Sequence, residues 1–106
     1  MIIVTSHEIA GKRIVRTLGI VRGNTVRSRN LGRDIMAEFR NWVGGEVREY
    51  TKLLAESREC ALDRMVEEAE SLGADAIIGM RFATSEVART AAEILAYGTA
   101  VELEDI

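Results

Sequence analysis

Apolar residues recur at helical spacing over one long segment of the chain, positions 46–72. Residues three and four positions apart lie on the same side of a helix, so this spacing predicts one long helix with an apolar stripe. The stripe consists of Val47, Tyr50, Leu54, Ala61, Met65, Ala69 and Leu72. Gly73 follows as the expected C-terminal stop. Residues 30–43 show the same spacing and predict a shorter helix, with Asn30 as its N-cap and Gly44–Gly45 as the turn that follows.

Short β-rich runs lie on both sides of the helical region. "MIIVTS" and "KRIVRTLGIVRGNTVR" precede it, and the dipeptide Gly23–Asn24 predicts a hairpin turn within the second run. "ADAIIGMRFA" and "EILAYGTAVEL" follow it. One side of the last run is formed by Leu95, Tyr97, Thr99, Val101 and Leu103. The sequence therefore predicts a single α+β domain over residues 1–106, with a mostly antiparallel sheet and two helices packed on one face.

Charge is distributed unevenly along the chain. Residues 1–48 carry nine Lys/Arg and four Asp/Glu (+5), whereas residues 49–106 carry five and thirteen (−8), which together give the net charge of −3. The two halves can attract each other within one fold or between copies, or the basic half can bind an anion. The overall acidity argues against a dedicated nucleic-acid-binding protein, because affinity for polyanions comes mainly from clustered basic side chains.

Targeting and redox features favour a cytoplasmic protein. No run of about eighteen apolar residues is present, so we predict no transmembrane helix and no membrane partner. The first residues, "MIIVTSHE", lack the basic and apolar regions of a signal peptide. Cys60 is the only cysteine and has no partner in the chain for a disulfide.

Two charged residues interrupt the apolar stripe of the long helix. On a helical wheel Arg58 lies near the centre of the stripe, and Glu68 lies within its arc. Buried charges are unfavourable unless they are paired. We therefore expect Arg58 to pair with Asp75 or Glu93, which open the two strands beneath the helix.

Arg81 is a further charged residue in an apolar run. Strict alternation places it on the same face as Ile77 and Gly79. These charges support either a structural salt-bridge network or subunit interface, or a polar pocket for an anionic ligand. We predict no catalytic residue, and the candidate binding residues are Arg58, Asp75, Arg81, Glu93 and Tyr97.

The sequence offers no ligand set for a metal ion and no cofactor motif. Cys60 lies at the edge of the stripe beside carboxylates, and one soft thiolate among hard carboxylates suits no single metal. His7 is the only histidine, and no C-x-x-C or H-E-x-x-H motif is present. We predict no metal ligand within one chain, so a metal site would need His7 or Cys60 from several copies.

Three segments of the sequence together resemble the YbjQ-like family of small bacterial and archaeal proteins. They are "GKRIVRTLGIVRGNTVRSRNLGRDI", "VGGEVREYTKLLAESRECALDRMVEEAESLGADAIIGMRF" and "AEILAYGTAV", and they cover nearly the whole chain. Relatives often have I-P-G where this chain has Ile9-Ala10-Gly11. The resemblance implies an α+β subunit in a homopentameric ring, or in two stacked rings. The family also carries the description "putative heavy-metal-binding", but the resemblance transfers no metal ligand to this chain.

Three functional hypotheses follow. The first is a non-enzymatic cytoplasmic homo-oligomer, a pentamer, which binds a small ligand or a metal ion at its subunit interfaces. The alternative is an enzyme with an intersubunit site, in which Arg58, Arg81 or Tyr97 acts on a small anionic substrate. The third is a nucleic-acid accessory protein that uses the arginine-rich segment "VRGNTVRSRNLGR".

Overall fold

A computed structural model describes residues 1–28, 45–88 and 91–106. In chain order these residues form β1 (Ile2–Ile3), β2 (Lys12–Ser28), α1 (Gly45–Ser71), β3 (Ala76–Ala88) and β4 (Ala91–Asp105). The predicted α+β class is confirmed. The helix predicted over residues 30–43 lies outside the described residues, so the predicted pair of helices is reduced here to one.

The four strands form one mixed sheet in the order β1-β3-β4-β2. β4 pairs antiparallel with both β2 and β3, whereas β1 pairs parallel with β3. The sheet is therefore mostly antiparallel, as predicted. β2 lies at one edge, and its register with β4 runs from Lys12 opposite Asp105 to Ser28 opposite Ala91.

The hairpin turn predicted at Gly23–Asn24 is wrong. β2 continues through this dipeptide without a turn and remains paired with β4. Gly23 instead allows a close approach of the helix, because a Cβ there would lie 2.2 Å from the carbonyl oxygen of Ala61 and 2.4 Å from the backbone nitrogen of Met65. Only glycine leaves room for α1 to lie directly on β2.

The long helix predicted over positions 46–72 is confirmed as α1. It ends in two hydrogen bonds typical of a Schellman motif: the N–H of Gly73 donates to Glu70 O (3.0 Å), and the N–H of Ala74 donates to Ala69 O (3.1 Å). Gly73 has φ of +78°, a left-handed conformation that glycine adopts without strain. The glycine stop read from the sequence is therefore correct.

The core lies between α1 and one face of the sheet. The helix packs mainly on β2 and also on β4. Alanines and Gly23 bring the backbones close together, and Thr25 Oγ1 donates a hydrogen bond to Ser57 O (3.0 Å) at this contact. The buried apolar residues of this core are Val21, Ala61, Met65, Ala69, Ile77, Met80, Ile94, Ala96 and Ala100. We call the opposite face of the sheet, away from α1, the open face.

Candidate functional site on the open face

A bulge in β3 places Arg81 on the open face. The register with β4 shifts between Ile78 and Arg81, and Gly79 has φ of +60°. A glycine in the left-handed region at a register shift is typical of a β-bulge, whose extra residue reverses the alternation of side chains. Ile77 is fully buried on the helix side, whereas Arg81 lies opposite the exposed Tyr97. The prediction that Arg81 and Ile77 share a face is therefore wrong, because strict alternation takes no account of a bulge.

Three side chains form one row across the open face. Arg22 of β2 lies opposite Tyr97 of β4, and Tyr97 lies opposite Arg81 of β3. Directly opposite residues in an antiparallel pair share a face, so the three side chains are neighbours. All three are exposed. Strands lie about 4.8 Å apart, so the backbones of the two arginines are about 10 Å apart with the tyrosine between them. We call this set the arginine–tyrosine row.

The rows next to it on the open face are largely apolar. Ile20 is 69% exposed, although isoleucine is a residue usually buried. The two flanking rows are Ile20, Thr99 and Ile78 on one side, and Asn24, Leu95 and Ala83 on the other. The open face therefore combines two cations and a phenol with apolar neighbours. A solvated sheet face is normally polar, so this composition indicates a binding surface.

The guanidinium of Arg81 is held by backbone carbonyls. Its Nη1 donates to Thr5 O (2.9 Å) and to Met80 O (2.8 Å). Thr5 belongs to the N-terminal segment that continues beside β3, where the N–H of Gly79 donates to Ser6 O (2.9 Å). Within the described residues, Nε and Nη2 of Arg81 have no partner. These two groups form the edge of a guanidinium that binds a carboxylate through two parallel hydrogen bonds.

The two carboxylates that were expected to pair with Arg58 form hydrogen bonds with residues of the sheet instead. Glu93 lies on the open face and accepts a hydrogen bond from Asn24 Nδ2 (3.0 Å). Asp75 lies just before β3 and accepts a hydrogen bond from the N–H of Leu103 (2.8 Å). In the part of the chain that the structure describes, no ion pair joins Arg58 to either carboxylate.

Arg58 itself is exposed on α1, so its predicted position in the apolar stripe is wrong. Ser57 is fully buried instead, and its hydroxyl donates to Leu53 O (2.9 Å) one turn earlier. A buried serine that bonds the helix backbone resembles a surface residue in a hydrophobicity pattern, so the expected stripe left out Ser57 and took in Arg58. Because α1 covers the other face of the sheet, Arg58 is not part of the arginine–tyrosine row. Glu68 is half-buried.

Cys60 and His7 lie in different parts of the fold. Cys60 is a half-buried free thiol on α1. His7 is exposed, and its ring lies 3.3 Å from the position that a Cβ on Gly79 would occupy. Among the described residues, no three His, Cys, Asp or Glu side chains are grouped as a metal site requires. These residues of one chain therefore do not build a metal centre.

Arg22 is the member of the row that sequence reasoning missed. The dipeptide after Arg22 resembles a hairpin turn, and a turn there would end the strand next to Arg22. A usable signal was the β-rich composition that continues past the dipeptide, through Thr25 and Val26. The structure has one continuous strand there, paired with β4 on both sides of the dipeptide.

Among the described residues, no helix is both long enough and apolar enough to cross a membrane. A crystal structure of a Pediococcus pentosaceus protein of unknown function, from the DUF74 family, aligns with a TM-score of 0.64 and 19% identity over 98% of each chain. This similarity shows a shared fold.

Sequence comparison is more specific. A UPF0145 protein of Pseudothermotoga lettingae is 56% identical over 106 residues, the full length of both chains. A UPF0145 protein of Halorubrum lacusprofundi is 60% identical over 98 residues, which cover 92% of this chain and 94% of that protein. A family model with the description "Putative heavy-metal-binding" matches residues 1–104. The chain therefore belongs to this YbjQ-like family, as the segments quoted from its sequence indicated.

Proposed function

We propose that this chain is a non-enzymatic, cytoplasmic protein that assembles into a homo-oligomer, a pentamer, and binds a small ligand at its subunit interfaces. The observation that carries the proposal is the unpaired outer edge of β2. β2 is 17 residues long, and no other strand of the described residues pairs with its outer edge. Such an edge presents a row of backbone donors and acceptors to a second chain.

The side chains of β2 support self-association. Val15 is 49% exposed, Ile20 69% and Val26 53%. If a neighbouring copy paired with the edge of β2, these exposed apolar side chains would lose contact with water, which favours association.

Charge supports a head-to-tail contact between copies. Arg16, near the start of β2, is exposed and basic. The outer side of α1 is acidic, with exposed Glu56, Glu59, Asp63, Glu67 and Glu70. Two different surfaces of opposite charge attract each other between copies, and contacts of this kind generate rings when the rotation closes.

The open face favours binding over catalysis. The arginine–tyrosine row supplies hydrogen-bond donors for an anion. Glu93 is the carboxylate on the same face, and it lies four residues from Tyr97, about 13 Å along β4. It also accepts a hydrogen bond from Asn24, so an enzymatic role would require a general acid or base from another copy. A metal ion would likewise need His7 or Cys60 from several copies.

The assembly is tested by the mass of the untagged protein at micromolar concentration, measured by light scattering. We expect a mass of about five chains. Val26→Lys places a charge on the edge of β2 and should lower the mass. Leu72→Lys changes a residue that is 45% exposed after α1, away from β2, and should leave the mass unchanged.

Three results would count against the proposal. A monomeric wild-type protein would remove the assembly, and equal masses for wild type and Val26→Lys would remove β2 as the contact. Elemental analysis of the same untagged sample tests the metal ion separately. Less than one bound ion per oligomer would exclude a stoichiometric metal site.

A further inference from the structure

We propose that the arginine–tyrosine row binds an organic anion that has one carboxylate head and an apolar body. The inference rests on the binding function proposed above, and it names the ligand class and the residues that recognise it. Arg22, Tyr97 and Arg81 come from three different strands, and strand pairing brings them together as one site.

The head group is recognised mainly by Arg81. Two backbone carbonyls occupy Nη1 and fix the guanidinium, so little side-chain entropy is lost when a ligand binds. The free Nε and Nη2 edge matches the two oxygens of one carboxylate. Arg22 has no partner within the described residues and supplies the second positive charge from the other side of Tyr97.

The apolar body is directed to one side of the row. On the side of Asn24 and Leu95, the following row carries Glu93, and an apolar group placed there would remove its charged carboxylate from water, which is unfavourable. On the other side Ile20 is 69% exposed and Ile78 is half-buried. An acyl or aryl group that leaves the carboxylate therefore covers Ile20 and Ile78, which removes apolar surface from water.

The negative charge around the row favours a ligand with one negative charge over a polyanion. The chain has a net charge of −3, and Glu93 lies on the same face. A polyphosphate or nucleic acid extends over many charges and would meet this acidic surface. A monocarboxylate needs only the two guanidinium groups of the row.

The experiment is calorimetric titration of the full chain with sodium octanoate, with octan-1-ol as the uncharged probe of the same apolar length. We expect octanoate to bind and octan-1-ol to bind at least about tenfold more weakly, because the alcohol cannot form the charge-assisted pair. Arg81→Gln and Arg22→Gln should each weaken octanoate binding by about tenfold. Arg58→Gln is the control, an exposed arginine on α1 that lies outside the row, and should bind like wild type.

Several outcomes would overturn the inference. These are no binding of octanoate, equal binding of octanol, or equal losses in Arg58→Gln and Arg22→Gln. A single-stranded oligonucleotide that binds more tightly than octanoate and depends on Arg22 would assign the row to nucleic acid instead. If Arg81→Gln does not fold, Arg22→Gln alone decides, because Arg22 has no partner among the described residues.

Light scattering on the same samples separates this inference from the proposed assembly. Octanoate binding by a monomer would support the row and contradict the assembly. A wild-type oligomer of the expected mass that does not bind octanoate would contradict the row and leave the assembly intact.

Discussion

Alternate residues of β2 experience two different environments. On the helix side Val21, Gly23 and Thr25 are buried, whereas on the open side Ile20 and Val26 are more than half exposed. A glycine and a threonine are thus buried while an isoleucine and a valine of the same strand contact solvent. Burial here depends on the face and on the space beneath the helix, not on the hydrophobicity of each residue.

The two faces of the sheet differ in what their side chains determine. On the helix side the backbones of α1 and β2 are so close that the size of each side chain determines stability. On the open side the side chains are free of such contacts, and their chemistry is available to a ligand or a second copy. Substitutions on the helix side should therefore change the free energy of unfolding, and substitutions on the open side should change binding.

The largest expected effect is that of Gly23→Val. Its Cβ would lie 2.2–2.7 Å from atoms of Ala61, Arg64 and Met65, two of them backbone atoms that cannot rotate away. We expect a loss of about 3 kcal/mol or more in the free energy of unfolding, since overpacking of this kind moves the backbone. Denaturant unfolding followed by circular dichroism measures it.

The matched change on the open face is Ile20→Val. Ile20 is largely exposed, so its loss of one methylene should change the unfolding free energy by less than about 0.5 kcal/mol. If Gly23→Val were as stable as Ile20→Val, the close contact between α1 and β2 would not exist in solution.

The bulge at Gly79 places Arg81 on the open face, whereas Ile77 before it lies on the helix side. Gly79→Ala tests this bulge. Because φ is +60°, a side chain is strained there, and its Cβ would also lie 3.3 Å from the ring of His7. We expect a loss of about 1–2 kcal/mol in the unfolding free energy, and weaker octanoate binding if Arg81 shifts. Gly79→Asn is the control, because asparagine tolerates the left-handed region, and it should lose less than Gly79→Ala.

Thr25→Val tests a polar contact on the buried face. The variant keeps the shape of the side chain and removes the hydrogen bond to Ser57 O, so we expect a loss of about 1 kcal/mol. Thr17→Val on the same strand is the exposed control and should be close to neutral. Equal effects of the two variants in denaturant unfolding would show that burial does not strengthen this hydrogen bond.

The smallest effect belongs to an exposed ion pair between β2 and β4. The hydrogen bond from Lys12, and then its positive charge, lower the pKa of the Asp105 carboxyl below its ordinary value. A carboxyl with a lower pKa in the folded state stabilises the fold at pH above its unfolded pKa, and this contribution is lost as the pH falls through the folded pKa. Lys12→Met should raise the pKa of Asp105 in an NMR titration and barely change the Tm at pH 7. A pKa that did not move in Lys12→Met would show that the pair does not form in solution.

The periodic parts of the fold could be predicted from the sequence. α1 was predicted within one residue at each end because its apolar spacing is long and Gly73 marks its end. The strand segments were located from their β-rich runs, although β2 was expected to be a hairpin. The errors arose where one residue has a role that depends on another element: Gly23 contacts α1, Ser57 is buried between α1 and β2, and Gly79 forms a bulge.

The candidate site could be predicted only in part. Arg81 and Tyr97 are neighbours, but through a bulge that periodicity cannot show, and Arg22 joins them only because β2 pairs with β4. Strand pairing between residues far apart in sequence is not encoded in any local pattern. The sequence grouped Arg58, Asp75 and Glu93 with the site because the helix was expected to lie over these residues. Strand pairing places none of them in the row.

The place of β4 between β2 and β3 has a consequence for biosynthesis. β4 is the last of these strands in the chain, and the pairing of Lys12 with Asp105 joins residues 93 positions apart. Until β4 leaves the ribosome, β2 has neither its sheet partner nor the complete layer on which α1 packs. Contacts over such a separation form slowly, so β2 stays without its sheet partner through most of the synthesis of the chain.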